Sequence, residues 1–282
     1  MSAAANADTK PSFGDIAGPL ILVGAGKMGC AMLEGWLGLG IDPSKLIVID
    51  PQPSKDVVAR TALGLRLNPE LGGTKAAAIV IAIKPQLAPE VVPTLSSLID
   101  ASTIVVSIMA GRTLAFLQQE TPAGAAIVRA MPNTPAAVGR GITVAVANPG
   151  AVGSKRDLAD RLLRVTGGVE WIDDESLLDA VTAVSGSGPA YFFLLVESLT
   201  RAGAAAGLPL DLAQRLARAT AVGAGELLHR SPLDADSLRV NVTSPGGTTA
   251  AALDVLMDKN GLDPLLERAV AAATQRSRAL AQ

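Results

Sequence analysis

The sequence predicts an α/β domain built on a mostly parallel, doubly wound sheet, followed by an all-α dimerisation domain. Three observations carry this expectation. Short, continuous Val/Ile-rich runs alternate with helical stretches as far as about Asp173, the mark of a parallel sheet covered on both faces. Beyond Asp173 the strand-like runs stop and helical ones follow. One of those helices, "PAYFFLLVESLTRAGAAAG" from Pro189, is apolar nearly all round, with Glu197 and Arg201 as its only charges. A stripe is enough to cover one core, so a helix without a wet face needs cover on every side, and a second copy of the chain would supply it. The expected organisation is a flexible N-terminal tail at 1–18, a sheet domain at 19–173 and a helical domain at 174–282.

The elements follow in order. Seven runs read as strands: "LILVG", "KLIVID", "AAIVIAI", "TIVVSI", "AIVRAM", "ITVAVA" and "VEWI", each too short for a helix and rich in β-branched residues. Helices are expected around 176–184, from Pro189 to Ala206 where "GLP" closes it, from Leu210 to about His229, after Thr249, and from Pro264 onward. Glu197 and Arg201 stand at i, i+4 and read as a surface pair.

The first strand runs into "GAGKMG", with Gly24, Gly26 and Gly29 at G-x-G-x-x-G spacing. Gly24 permits the tight turn, Gly26 lets backbone approach a pyrophosphate, and Gly29 lets helix and strand pack closely. The motif opens the first of several parallel strands, and the second strand ends in Asp50 about 20 residues on. This is the context of a dinucleotide-binding Rossmann domain, so the whole turn, Gly24, Ala25, Gly26, Lys27, Met28 and Gly29, is expected to face the cofactor. Asp50 in that place binds a ribose 2′-OH and repels a 2′-phosphate. Ser54 and Lys55, just beyond it, either hold such a phosphate or are a helix cap and its solvated neighbour. Three more stretches fall at strand ends, where an open sheet places its ligand crevice: "IAIKPQ" with Ala82, Ile83, Lys84 and Pro85, "SIMAG" with Ala110, and "RAMPNTP" with Pro132, Asn133 and Thr134. Asn133 and Thr134 are candidates for the nicotinamide amide, and Lys84 for phosphate or ribose, unless it is a solvated loop lysine.

A second glycine cluster, "NVTSPGGTTAAALDVL", spans residues 241–256. Its Pro-Gly-Gly turn collects the hydroxyls of Ser244, Thr248 and Thr249 and the backbone N–H groups around Gly246 and Gly247 at one positive helix end, which suits an anion. Composition narrows what chemistry is available. A net charge of −2 gives no basic face for nucleic acid. A lone cysteine, Cys30, and a lone histidine, His229, exclude a disulfide framework, a multi-Cys metal site and a histidine-rich metal centre. The first residues lack a signal-peptide core and no run reaches about 18 consecutive apolar residues, so a cytoplasmic protein is expected.

Taken together and in this order, "GAGKMG", "AIKPQ", "SIMAG", "RAMPNTPAAVGRG", "VSGSGPAYFF" and "SPGGTTAAALDVL" closely resemble the pyrroline-5-carboxylate reductase family over roughly residues 20–257. The last two blocks are the specific ones. The resemblance implies reduction of L-1-pyrroline-5-carboxylate to L-proline, the final step of proline biosynthesis, with NADPH as cofactor or NADH in its place. It also implies a helical domain that interlocks with its dimer mate, sometimes assembled further into a ring of dimers. Some members carry a glutamate shortly before the cradle; here "HRSPLDADSL" puts Pro232 at that place, which shifts contact with the substrate nitrogen onto Thr249. On this reading Ser244, Gly246, Gly247, Thr248 and Thr249 hold the substrate, with Thr249 as the catalytic hydrogen-bond partner of the ring nitrogen. The second glycine cluster then holds a carboxylate rather than a phosphate. Rival readings are a reductase of another cyclic imine carboxylate and a non-catalytic NAD(P) sensor.

Overall fold

The computed structural model describes residues 16–280, so most of the expected N-terminal tail lies outside the described residues. Eight strands form one sheet: β1 (Leu20–Val23), β2 (Leu46–Ile49), β3 (Arg66–Leu67), β4 (Ala78–Ile81), β5 (Ile104–Ser107), β6 (Ala126–Met131), β7 (Gly141–Ala147) and β8 (Gly167–Trp171). Their order across the sheet is β3-β2-β1-β4-β5-β6-β7-β8. All neighbours run parallel except β6 and β7, which pair antiparallel from Val128↔Ala147 to Met131↔Val144. The seven expected strands are present. The eighth, β3, is a two-residue edge strand that the sequence reading omits.

Continuous apolar runs make sense in this sheet because both faces are covered. Along β1, Leu20 and Leu22 face one core, and Ile21 and Val23 face the other. The first core is closed by α1 (Lys27–Gly38) and α5 (Ser154–Arg164), which contribute Met32, Leu33, Trp36, Leu162 and Leu163. The Trp36 indole Nε1 donates to the Leu162 carbonyl at 3.0 Å, so the largest buried side chain leaves no polar atom unpaired. On the opposite face lie α3 (Ala88–Val91) with the 3₁₀ stretch after it, and α4 (Leu114–Glu120), contributing Ala88, Val92, Leu95 and Leu117. The short α2 (Lys55–Ala59) follows β2 and is capped by Ser54, whose side chain accepts from Val57 N.

Past β8 the described chain is helical: α6 (Leu178–Val181), α7 (Gly188–Ala205), α8 (Leu210–Arg230), α9 (Ala235–Asn241), α10 (Thr248–Leu256) and α11 (Leu262–Leu280). The sequence reading passes over α9, which Asp234 caps by accepting from Ser237 N at 3.3 Å. By internal contacts the chain divides into two units. One includes residues 187–273; the other includes the sheet, the chain up to Gly186 and the end of α11 from Thr274. That end of α11 is fastened within the sheet unit, where Ser277 Oγ donates to Asp179 Oδ1 at 2.7 Å.

Within the helical unit α7 lies along α8 so closely that a Cβ on Gly203 would stand 3.3 Å from the Cβ of Ala213. That contact covers only one side of α7. Phe192, Phe193, Leu194, Leu195 and Leu199 are exposed in the single chain, Phe193 at 64%. The helical run Glu175–Ala205 has a stretch of mean hydropathy 1.2 that is only 11% buried. By length and composition alone this helix is long and apolar enough to cross a membrane, although, as expected, it is not an unbroken run of about 18 apolar residues. Glu197 and Arg201 interrupt the apolar run and pair with each other at 3.6 Å as expected.

Candidate functional site

The first glycine cluster sits at the carboxyl edge of the sheet, and the local geometry explains each glycine. Gly24 has φ 92°, and a Cβ there would lie 2.7 Å from the Ala82 carbonyl oxygen. A Cβ on Gly29 would strike the Gly24 carbonyl, so this glycine is what allows α1 to start directly against β1. Gly26 differs from both: a Cβ there would meet nothing within 4 Å. It is exposed, extended (φ −70°, ψ −169°) and precedes a helix whose first turn has no side-chain cap. Open space in front of uncapped N–H groups at a helix N-terminus is what a pyrophosphate needs, so the residues present fit a dinucleotide. Lys27 is exposed and Met28 half-buried at the same turn.

Hydrogen bonds past the strand ends align the neighbouring loops with this turn. Gly24 N donates to Ile49 O at 2.8 Å, Ala82 N to Val23 O at 2.7 Å, and Ile108 N to Ile81 O at 3.0 Å. The segments carrying Ala82, Ile83, Lys84 and Pro85, and the one carrying Ala110, thus line one edge with the glycine turn. Lys84 and Ala110 are exposed there. Pro85 is half-buried and its carbonyl accepts from Arg112 Nε at 2.8 Å. At the end of β2, Asp50 accepts from Ala25 N at 2.6 Å through Oδ2 and from Gln52 N at 2.7 Å through Oδ1. Ser54 is the helix cap of the blander alternative, and Lys55 is the exposed first residue of α2. The Cys30 thiol donates to Ala25 O at 3.0 Å, and burial pushes its pKa up.

Asn133 is placed at the start of the β6–β7 connection and is 8% exposed, with Pro132 buried beside it. Its Oδ1 accepts from Ile142 N at 2.9 Å and its Nδ2 donates to Ser185 O at 3.1 Å. The side chain therefore joins that connection to a single π-helical turn at Thr182–Gly186, an irregularity common near functional sites. Thr134 is exposed. A partly buried ion pair that the sequence does not suggest reinforces the same region. Glu175 Oε1 accepts from Arg129 Nη1 at 2.7 Å and from Leu114 N at 2.8 Å, tying the chain after β8 to β6 and to the start of α4. Forty-odd residues separate these charges in the chain, so spacing offers no signal for them.

The second cluster belongs to the helical unit. Gly246 has φ 68°, Gly247 N donates to Ser244 O at 3.0 Å, and the turn delivers the chain to Thr248, the first residue of α10. Gly247 at the cap position carries no side chain, and the first helical bond is Ala251 N to Gly247 O. The N–H groups of Thr248, Thr249 and Ala250 are left without helical partners at the positive end. Ser244 and Thr248 are exposed, Thr249 half-buried. No basic side chain is part of this turn, so the arrangement suits one small carboxylate better than a polyphosphate. Among the described residues no group of three or more His, Cys, Asp or Glu side chains could hold a metal.

Comparison with known proteins accounts for both halves. A family described as pyrroline-5-carboxylate reductase dimerisation matches residues 175–280, and one described as NADP oxidoreductase, coenzyme F420-dependent, matches residues 20–111. A pyrroline-5-carboxylate reductase of Pseudomonas aeruginosa is 36% identical over 265 residues, covering 93% of this chain and 97% of that protein. The solved structure of a pyrroline-5-carboxylate reductase from Coxiella burnetii superposes with a TM-score of 0.87 at 31% identity, covering 94% of this chain and 99% of that one. A Plasmodium falciparum pyrroline carboxylate reductase with NADP bound superposes with a TM-score of 0.79 at 29% identity, covering 95% and 100%.

Proposed function

The chain belongs to the pyrroline-5-carboxylate reductase family, and from that premise we propose how its residues divide the reduction of L-1-pyrroline-5-carboxylate to L-proline. It is an NAD(P)H-dependent oxidoreductase acting on a C=N bond, in the last step of proline biosynthesis, and it is a homodimer. The observation that carries the division of labour is the presence of two chemically different anion cradles. One faces open space at Gly26, and the other is a hydroxyl-rich helix end without a cation.

Bound NAD(P)H supplies the hydride. Gly24 to Gly29 hold its pyrophosphate on the N–H groups of α1, with Asp50 near the ribose and the 82–85, 110 and 132–133 segments beside the remainder. The Ser244 and Thr248 hydroxyls and the N–H groups at Gly246, Gly247 and the first turn of α10 hold the substrate carboxylate. The helix end contributes roughly 0.3–1 kcal/mol where exposed and more where dry. Thr249 donates its hydroxyl hydrogen to the ring nitrogen or accepts one from it when that nitrogen is protonated. An imine takes a proton from water readily, so the protein's task is to orient and desolvate, and effective-molarity arguments put positioning at up to about 7–11 kcal/mol. The scarcity of histidine and cysteine is consistent with that task.

The exposed apolar face of α7 is covered by the second copy rather than by lipid, and dimers of this kind would assemble further into a ring in the cytoplasm. The decisive assay follows NADPH or NADH oxidation with pyrroline-5-carboxylate. Turnover dependent on that imine supports the reading. Turnover with a different cyclic imine carboxylate alone would redirect the substrate, and folded protein that binds nucleotide without turnover would be a sensor.

A further inference from the structure

A carboxylate at the end of the second strand discriminates against a 2′-phosphate only while it stays in place. In this chain Asp50 is fixed from two directions. Asn68, just past the edge strand β3, adopts φ 46°. Its Oδ1 accepts from Asp50 N at 2.9 Å and its Nδ2 donates to Asp50 O at 2.8 Å. One amide thereby closes a ring over both backbone groups of Asp50, and Asn68's own N–H donates to Val48 O at 2.8 Å. The carboxylate, so oriented, lies against the glycine turn through Ala25 N at 2.6 Å. Of the cations nearby, Lys27 at the glycine turn and Lys55 at the start of α2 are exposed. Arg60 is paired with Glu34 at 2.9 Å and also donates to Asp56 O, and Ser54 is occupied as a helix cap. Lys55 is the remaining basic residue of that segment.

We propose that Asn68 is a positioning residue for cofactor choice: by clamping the backbone of Asp50 it holds the carboxylate at the glycine turn, and the chain therefore prefers NADH to NADPH. The inference rests on the reading that the first glycine cluster binds the nucleotide. Removing the clamp frees the Asp50 backbone and lets the carboxylate swing aside, which relaxes discrimination without touching the pyrophosphate cradle.

The test is binding to the intact protein without imine. Dissociation constants for NADH and NADPH are read from nicotinamide fluorescence, and thermal stabilisation is compared for ADP-ribose and its 2′-phosphorylated form. The expected result is NADH tighter by about tenfold, the scale of one charge-assisted contact, and the same order for the two nicotinamide-free ligands. Asn68→Gly suits the positive φ and removes the amide; it should narrow the ratio several-fold, chiefly by improving NADPH. Asn68→Ser removes the amide without adding a charge and should narrow the ratio as well; it serves if the glycine variant does not fold. Asp50→Ser should abolish or reverse the preference. Equal or tighter NADPH binding by the unaltered chain overturns the proposal while leaving the nucleotide site standing, as does an unchanged ratio in the folded Asn68 variants. Folded protein that binds neither nucleotide overturns the site assignment itself and the proposal with it.

Discussion

The two glycine clusters solve different problems with the same residue. At Gly24 and Gly29 glycine is required by the protein, because a side chain would collide with the Ala82 or Gly24 carbonyl. At Gly26 and Gly246 it is not, since a Cβ at either would meet nothing within 4 Å, although φ 68° still favours glycine at Gly246. The first cluster is bolted to a sheet whose strands are buried on both faces. The second hangs from a helical unit whose apolar helix α7 is exposed along one face in the single chain. A glycine motif is thus part scaffold and part vacancy for a ligand, and only the local contacts tell the parts apart.

The comparison breaks most severely at Gly26→Val. The new side chain has room, so thermal melting should stay near that of the parent, but it occupies the pyrophosphate's space and nucleotide affinity should fall by about a hundredfold or more. Gly29→Val is the contrast, because it should lower the melting temperature sharply or prevent folding. Finding the two variants alike in both measurements would erase the distinction between scaffold and vacancy.

A second break separates the units. Phe193→Glu sets a carboxylate on the exposed face of α7, and burying it in a dimer interface without a partner costs several kcal/mol. Light scattering at micromolar concentration should give the monomer mass, while nucleotide binding by the sheet unit largely survives. Thr249→Val comes next. It keeps the volume and deletes one hydroxyl, so kcat/KM for the imine should fall roughly ten- to a hundredfold, equivalent to about 1.5–3 kcal/mol. The NAD(P)H dissociation constant should move little. If it weakens as much as turnover slows, the second cluster belongs to the nucleotide after all.

The smallest effect concerns Cys30. Burial holds its pKa above the ordinary value, so the fraction of thiolate near neutral pH is reduced and alkylation is slower than for a free thiol. The rate should climb only at higher pH, and a pH series with iodoacetamide on the folded protein checks this. A rate equal to that of a small-molecule thiol at pH 7 would contradict the buried setting at the glycine turn.

How far this was legible in the sequence depends on the range of the signal. Apolar runs such as "AIVI" and the three-glycine spacing are local, and both reappear as strands and turn. Strand direction is not local, since "ITVAVA" looks the same whether β7 runs with β6 or against it. The edge strand Arg66–Leu67 is too short to show alternation. Helix α9 hides in a segment rich in Asp and next to Pro, although Asp234 is a good cap. Asn68 carries no pattern at all, because its meaning depends on Asp50, eighteen residues away. The hydroxyls of the second cluster are local enough to be proposed from sequence as an anion site, whereas the two hydrogen bonds that occupy Asn133 required coordinates.

The antiparallel step from β6 to β7 also has a kinetic meaning. Every parallel pair in the sheet must wait for an intervening crossover to close a long loop, which is slow because chain entropy is lost before contacts form. Among the described residues, the Met131–Val144 pair closes the shortest loop of any strand pairing, and Asn133, bonded to Ile142 N, bridges that loop near its base. This hairpin is the cheapest place for the sheet to nucleate. Conservative truncations in β6 and β7 should then slow refolding in step with the stability they remove, while equivalent truncations in β1 or β2 should act mainly by hastening unfolding.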